Sequence, residues 1–146
     1  MISLVRTDQD HPDFLLLTHL LNADLAVRYE VEPSLFVKIN SKYRFDHVVL
    51  AYDGNEPMGC VTMSNYADGT AELKRMFIHP NHRRKGAAKM LLSEFEKWMV
   101  ELGYTRCVLE TGIMQPEAIQ FYQSNGFHSI PSYSGYEGSR CFEKNL

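Results

Sequence analysis

The stretch Asn81–Leu92, which reads NHRRKGAAKMLL, decides the fold because it joins a strand pattern to a helix pattern. Three bases stand together at Arg83, Arg84 and Lys85, and Gly86 and two alanines follow them. The start of a helix leaves backbone N–H groups unpaired, and small residues let an anion come close to those groups. The stretch therefore indicates a pyrophosphate site at the start of a helix, or else a basic helix end covered only by water.

Length and charge narrow the choice of anion. The chain has 146 residues, 45% of them hydrophobic, and a formal net charge of -3. These values are typical of a soluble globular protein, and we expect one domain over residues 1–146. Proteins that bind nucleic acid usually carry a positive net charge or a broad basic face. The bases here are local, so a small anion is favoured and no nucleic-acid partner is expected.

Cysteine usage and apolar runs indicate where the protein works. Cys60, Cys107 and Cys141 are odd in number and far apart, which favours reduced, buried thiols over a disulfide framework. The start MISLVRTDQD has no apolar signal core, and no apolar run is long enough to span a bilayer. We expect a cytoplasmic protein without membrane contact. His79 and His82 lie close together, but no cysteine or carboxylate motif completes a metal site.

Outward from the opening stretch, hydrophobic spacing predicts the element order β-α-α-β-β-β-α-β-α-β. The strand AELKRMFI, the helix from about Ala87 to Leu102 and the strand TRCVLET form a crossover, which makes the two strands parallel. The class is therefore α/β (α+β), with a single mixed central sheet covered by helices. In the crossover helix, the spacing predicts a buried stripe made of Leu91, Phe95, Trp98 and Leu102. The later segment HSIPSYSGYEGS is predicted to be a loop.

The known nucleotide loops are absent, but another phosphate motif is present. There is no GxxxxGK[ST] and no GxGxxG after a strand. The pattern Arg83-x-x-Gly86-x-Ala88, after a strand and before a helix, resembles the Q/R-x-x-G-x-G/A acetyl-CoA loop of the GNAT acyltransferase superfamily. Arg84 stands at a variable position that often holds glycine in that family.

A second motif lies further along the chain and strengthens the resemblance. PEAIQFYQSNGF is similar to the family helix N-x-x-A-x-x-x-Y, which a glycine–aromatic pair follows. Gln115 stands in the place of the usual asparagine, and it can still donate and accept hydrogen bonds. CFEKNL looks like the closing strand of the family. The resemblance covers residues 46–146 most clearly, and over residues 1–45 only the element order agrees.

The resemblance implies acetyl-CoA as cofactor, lying where the two parallel strands separate near a bulge in the first. Backbone groups of Met76, Phe77 and Ile78 are then expected to hold the pantetheine arm, and Gln115 and Tyr122 to contact the cofactor. The residues implied around the pyrophosphate are Arg83, Arg84, Lys85, Gly86, Ala87, Ala88 and Lys89.

The resemblance also implies the reaction, which is transfer of an acetyl group to a primary amine in a ternary complex. Glu72, early on the strand beside the thioester, is the first candidate for the base, and Glu110 on the neighbouring strand is the second. Tyr122 matches the tyrosine that protonates the departing thiolate. The alternative is an acyl-CoA sensor module that binds the cofactor and catalyses nothing.

The acceptor pocket is the least specific part of the resemblance. Family members shape it with the first two helices and the loop before the last strand. Carboxylates and aromatic faces there suit a cationic amine, although ordinary surface residues explain each of them equally well. The acceptor is expected to be a small-molecule or peptide amine, and family analogy implies a homodimer. The candidate acceptor residues are Tyr29, Glu30, Glu32, Phe36, Tyr133 and Tyr136.

Overall fold

The computed structural model describes residues 1–146, which form seven strands and four helices. The strands are β1 (Ile2–Thr7), β2 (Val48–Asp53), β3 (Glu56–Ala67), β4 (Thr70–Ile78), β5 (Arg106–Gly112), β6 (His128–Ile130) and β7 (Ser139–Asn145). The helices are α1 (Pro12–Tyr29), α2 (Ser34–Asn40), α3 (Ala87–Glu101) and α4 (Pro116–Ser124). None of these helices combines the length and the apolar character that crossing a membrane requires.

The strands belong to one mixed sheet, which confirms the predicted single mixed sheet, although there are seven of them and the sequence predicted six. Its order is β1-β2-β3-β4-β5-β7-β6, and β4 and β5 are the parallel pair. The crossover helix α3 joins these two strands, which confirms the predicted topology. Strand β6 is an addition to the predicted order, because it lies at the start of the segment predicted as a loop. Three residues are too few to show the period-two alternation by which strands are recognised.

Helices cover the sheet on both faces. One core cluster holds α3 and α4 residues such as Leu91, Phe95 and Tyr122, and the other holds α1 residues such as Phe14 and Leu17.

The predicted α3 stripe is wrong at its last member. Leu102 is 42% exposed because the helix ends at Glu101, whereas Met99 is fully buried one turn after Phe95.

A β-bulge in β4 changes which way its side chains point. Cys60 pairs with Phe77 and Thr62 pairs with Lys74, so β4 holds one residue more than β3 across this interval. Arg75 lies within it with a left-handed φ of 56°. Because the bulge shifts the alternation by one, Leu73 packs in the core beneath α3 whereas Phe77 packs on the α1 side.

Beyond the bulge, β4 and β5 separate. They pair only between Thr70–Glu72 and Arg106–Val108, although both strands continue past these residues. This confirms the expected separation of the parallel strands near a bulge in the first. The separation leaves residues 73–78 of β4 without a neighbouring strand on the β5 side.

Candidate active site

A cavity of about 180 Å³ opens where β4 and β5 separate. Residues from β4, β5, α1, α2 and α4 line it, so both faces of the sheet contribute to one space. Among its lining residues are five that the sequence predicted to be functional, namely Glu72, Met76, Glu110, Gln115 and Tyr122.

Glu72 is the last residue of β4 that pairs with β5, and its carboxylate has partners at both oxygens. The Tyr133 hydroxyl donates a hydrogen bond of 2.7 Å to Glu72 Oε2. The Ser64 hydroxyl and the Lys74 ammonium each lie 3.4 Å from Oε1. The side chain is 12% exposed, so a mostly desolvated carboxylate stands at the mouth of the strand gap.

Glu110 faces the same cavity from β5, and its hydrogen bonds fall on one oxygen. Its Oε2 accepts from the Ser139 hydroxyl at 2.6 Å and from the Ser134 hydroxyl. Its Oε1 has no hydrogen-bond partner within the chain. This second oxygen is therefore available to a ligand or to water.

Tyr122 enters the cavity from α4. The residue is 5% exposed, and its ring packs edge-on against Phe121 and Phe127. Burial raises its pKa well above the usual value of 10.0, so the phenol stays protonated at neutral pH. Its hydroxyl has no hydrogen-bond partner in the chain. Tyr29 Oη is the one side-chain polar atom that both lacks a partner and is closed off from solvent, so the Tyr122 hydroxyl keeps some access to solvent. The hydroxyl can therefore donate into the cavity.

Gln115 caps the start of α4 beside the cavity. Its Oε1 accepts a hydrogen bond of 3.3 Å from the backbone N–H of Gly112, which ties the start of α4 to the end of β5. The amide nitrogen of the Gln115 side chain makes no hydrogen bond within the chain.

The loop before α3 has the geometry of an anion site. Gly86 has a left-handed φ of 84°, and a Cβ placed there would meet no atom within 4 Å. The Gly86 carbonyl accepts the first helical hydrogen bond, from Met90. The backbone N–H groups from Arg84 to Lys89 find no acceptor in the chain. A row of free donors therefore surrounds an open space, at the positive end of the α3 dipole.

The basic side chains of this loop are directed differently from one another. Lys85 lies 3.6 Å from the Asp53 carboxylate and 3.4 Å from His82 Nδ1, on the β2–β3 side. Arg83 donates to the carbonyl oxygen of Ile78 at 3.1 Å, at the end of β4. Arg84 and Lys89 form no ion pair, and Arg84 has a left-handed φ of 64°. The ammonium of Lys85 is therefore directed toward a carboxylate of the protein.

The predicted acceptor residues divide into those that reach a cavity and those that do not. Tyr133 reaches Glu72, and Phe36 lines a second cavity described below. Tyr29 turns its hydroxyl toward the backbone of Gly112, so closely that a Cβ on that glycine would overlap it. Glu30, Glu32 and Tyr136 are exposed and line neither cavity.

A second cavity, of about 410 Å³, lies between α1 and α2. Its walls are rich in aromatic side chains, and no aspartate or glutamate lines it. Asn40 and Arg75 line both cavities, so these two residues mark the junction. The aromatic members of the lining are Phe14, Phe36, Tyr43 and Phe45.

Arg75 is the cavity residue that the sequence reasoning missed. In a regular strand it would lie on the same face as Leu73, and the bulge turns it toward α1 instead. The signal was present in the sequence, because polar and apolar residues alternate from Thr70 to Lys74 and the second consecutive charge at Arg75 interrupts that alternation.

Comparisons with known proteins agree with the fold of the chain. The model of the Acetyltransferase (GNAT) family matches residues 15–127. The chain is 26% identical over 138 residues to an uncharacterized N-acetyltransferase of Schizosaccharomyces pombe, covering 90% of this chain and 85% of that protein. A solved structure described as an acyl-CoA N-acyltransferase, from Klebsiella pneumoniae, has a TM-score of 0.82 at 24% identity, covering 100% of this chain and 98% of that one.

A further neighbour was solved with a ligand. The PaiA N-acetyltransferase of Thermoplasma acidophilum, in complex with coenzyme A, has a TM-score of 0.74 at 20% identity. The match covers 100% of this chain and 99% of that one. The fold is thus shared along the whole chain, and the family match spans both the loop before α3 and the tyrosine of α4. The chain belongs to the GNAT acetyltransferase family.

Proposed function

We propose that this protein is an N-acetyltransferase that moves an acetyl group from acetyl-CoA to a primary amine, of a small molecule or a peptide, by direct transfer in a ternary complex. The observation that carries the proposal is the cavity at the strand separation, which collects Glu72, Glu110 and Tyr122. Strands from both ends of the chain join the one sheet around it, which supports a single transferase domain over residues 1–146.

The residues present fit acetyl-CoA. The open space beside Gly86 and the unpaired N–H groups that follow suit a pyrophosphate. The edge of β4 that lacks a neighbouring strand at Met76, Phe77 and Ile78 suits an extended amide-containing arm, although the Ile78 carbonyl already accepts a hydrogen bond from Arg83. When bound, acetyl-CoA supplies the activated acetyl thioester. A backbone N–H near Phe77 would then be the donor available to the thioester carbonyl.

The side chains of the cavity supply the two proton movements. An alkylamine has a pKa of about 10 and arrives protonated, so it must lose a proton before it can attack. We assign this step to Glu72, acting directly or through water, and Glu110 is the second candidate because its Oε1 is free. Tyr122 donates its proton to the departing thiolate, and its raised pKa keeps that proton in place beforehand.

Conservative variants of the two carboxylates test the assignment. We expect Glu72→Gln to lower kcat/KM by roughly 100-fold, because general base catalysis is worth about that much. Glu110→Gln should lower it less, with the affinity for acetyl-CoA unchanged in both variants. Thiol release from acetyl-CoA across an amine panel measures the rates. A larger loss in Glu110→Gln than in Glu72→Gln would move the base role to Glu110.

The second candidate function is a non-catalytic acyl-CoA sensor. It is favoured by one observation, which is that both oxygens of Glu72 already have partners in the chain. A sensor would gain thermal stability from acetyl-CoA yet release no thiol with any amine in the panel. Measurable thiol release with one amine excludes it.

Two expectations, the cellular location and the oligomeric state, stay predictions. The buried, free state of Cys60, Cys107 and Cys141 supports a reducing, cytoplasmic location. A homodimer follows from family analogy alone, and light scattering of the purified protein measures it.

A further inference from the structure

We propose that the acceptor amine carries a carboxylate, as an amino acid does, and that Arg75 binds this carboxylate beside the reacting amine. The proposal rests on the proposed function for the transfer step. The binding of the carboxylate itself can be tested without any turnover.

Arg75 is a largely buried cation without a carboxylate partner. Its Nη2 donates to the Asn22 side-chain oxygen and, at 3.2 Å, to the carbonyl oxygen of Thr18. Both of these acceptors are neutral, and no aspartate or glutamate forms a salt bridge with this guanidinium. Nε and Nη1 have no acceptor in the chain, and neither nitrogen is completely closed off from solvent. These two donors are therefore accessible to solvent or to a ligand, and Arg75 lines both cavities.

The burial of this guanidinium costs free energy unless an anion pairs with it. Burying a charge without a partner is unfavourable, and burial lowers the pKa of Arg75 from 12.5 to about 10. The guanidinium still carries its charge at neutral pH. Its planar fork matches the two oxygens of a carboxylate, which a bound ligand would supply.

The other cation of the cavity is not equivalent. Lys74 lies 3.4 Å from Glu72 and 4.3 Å from the centre of the Tyr43 ring, so its charge already has two partners. Arg75 is thus the residue of the cavity lining whose charge has no carboxylate partner and whose guanidinium keeps unpaired N–H donors.

The position of Arg75 fits an amino acid better than a simple amine. It lies at the junction of the two cavities, and the first of them holds the proposed base and acid. An amine at Glu72 and a carboxylate at Arg75 would leave the second cavity for the remainder of the acceptor. Four aromatic side chains line that cavity together with neutral polar residues, and no acidic residue lines it, which suits an acceptor side chain with an aromatic or aliphatic part.

Matched pairs of amines test the carboxylate requirement. Phenylalanine is compared with phenethylamine, and leucine with isoamylamine, so each pair differs only in the carboxylate. We expect the wild-type protein to favour the acid of each pair in kcat/KM by roughly 10- to 100-fold, the value of charge-assisted hydrogen bonds. Arg75→Gln should remove this preference by raising KM for the acid, so that the acid and the amine of each pair are turned over with similar kcat/KM, whereas the affinity for acetyl-CoA stays within about threefold.

A second variant keeps Arg75 in place, in case its removal loosens the contact between α1 and β4. Asn22→Asp is nearly isosteric and places a carboxylate at the atom that Arg75 already contacts. We expect this internal anion to raise the melting temperature at neutral pH and to weaken acid-bearing acceptors by roughly tenfold. Phenethylamine turnover should not fall in parallel.

A binding experiment separates this inference from the transfer reaction. N-acetylphenylalanine and its amide are titrated in a thermal-shift assay with wild type, Arg75→Gln and Asn22→Asp. If only the acid stabilises the wild type, and either variant abolishes that effect, the carboxylate site stands even where no amine is acetylated. If acid and amide stabilise the protein alike, or neither does, or the matched amines are turned over equally well, the inference is overturned.

Discussion

Gly86 is the residue on which the anion loop depends. We expect Gly86→Val to lower the affinity for CoA by roughly 100-fold or more, because a branched side chain fills the space beside the free N–H groups. Lys85→Ala should cost less than about threefold, because the ammonium is paired with Asp53 and its charge is screened there. Isothermal titration with CoA measures both.

Gly103 offers a matched control for the backbone strain. It too has a left-handed φ, of 95°, and a Cβ there would meet nothing within 4 Å, but it lies just past the far end of α3. Gly103→Val should therefore lower stability to a similar extent and leave CoA binding intact. Equal affinities in Gly86→Val and Lys85→Ala would contradict the anion-loop interpretation.

Tyr122 is the residue to which we assign the role of general acid. We expect Tyr122→Phe to lower kcat by roughly 100-fold, the lower range for loss of a general acid, with CoA affinity nearly unchanged. Burial raises the pKa of Tyr122 above its usual 10.0, so its ionisation should produce no decline in wild-type kcat between about pH 7 and pH 9. Rate measurements across that range check both statements. A full rate in the variant at every pH would show that the phenol is not the acid.

At the scale of elements, local motifs were predictable and orientations were not. The loop at Gly86 and the helix with Tyr122 follow from short spacings that a sequence displays directly. The direction of Arg75 depends on a bulge, which shifts the alternation of β4 by one residue. Glu30 was placed in the acceptor pocket, but it is the left-handed cap of α1, where the chain turns and the side chain is exposed. Such turns depend on tertiary packing that periodicity does not encode.

The contact between the end of α1 and the end of β5 gives an element-scale prediction. A Cβ on Gly112 would stand 1.5 Å from the hydroxyl oxygen of Tyr29, which is sealed inside the protein. We expect Gly112→Ala to lower the free energy of unfolding by about 1–3 kcal/mol, because the helix end must move. Urea denaturation followed by circular dichroism measures the change.

Gly138 provides the comparison for this substitution. A Cβ there would lie 2.6 Å from the ring of Tyr136, but that side chain is 59% exposed and can swing away. Gly138→Ala should therefore cost well under half as much as Gly112→Ala. Equal losses of unfolding free energy in the two variants would mean that Tyr29 moves aside as easily as a surface side chain.

At the scale of the whole molecule, buried thiols set the response to alkaline pH. Burial raises the pKa of Cys60 and of Cys107 from 9.0 to about 12. Above about pH 9 the unfolded chain loses these protons and the folded chain keeps them, so stability is full below that pH and falls as pH rises. Each thiol contributes a slope of up to about 1.4 kcal/mol per pH unit.

Thermal melting between about pH 7 and pH 11 measures this decline. Cys60→Val combined with Cys107→Val should flatten the curve between about pH 9 and pH 10, before the tyrosines with raised pKa values contribute, which are Tyr29, Tyr52, Tyr122 and Tyr133. A wild-type stability that stayed level above about pH 9 would contradict the prediction.

The separation of β4 and β5 also divides the molecule mechanically. Seven residue pairs join β5 to β7, but only three join β4 to β5. The sheet therefore consists of two half-sheets, one holding β1 to β4 and the other β5 to β7, which pair only at one end of the boundary between β4 and β5. This boundary is called the seam below. Opening along this seam breaks few backbone hydrogen bonds, which makes it the natural boundary between two cooperative units of local unfolding. A cofactor lying in the seam would act as a missing strand, and at a hundred times its Kd it would add about 2.7 kcal/mol to the stability of the closed sheet. The cofactor would then bring the two half-sheets under a single cooperative transition.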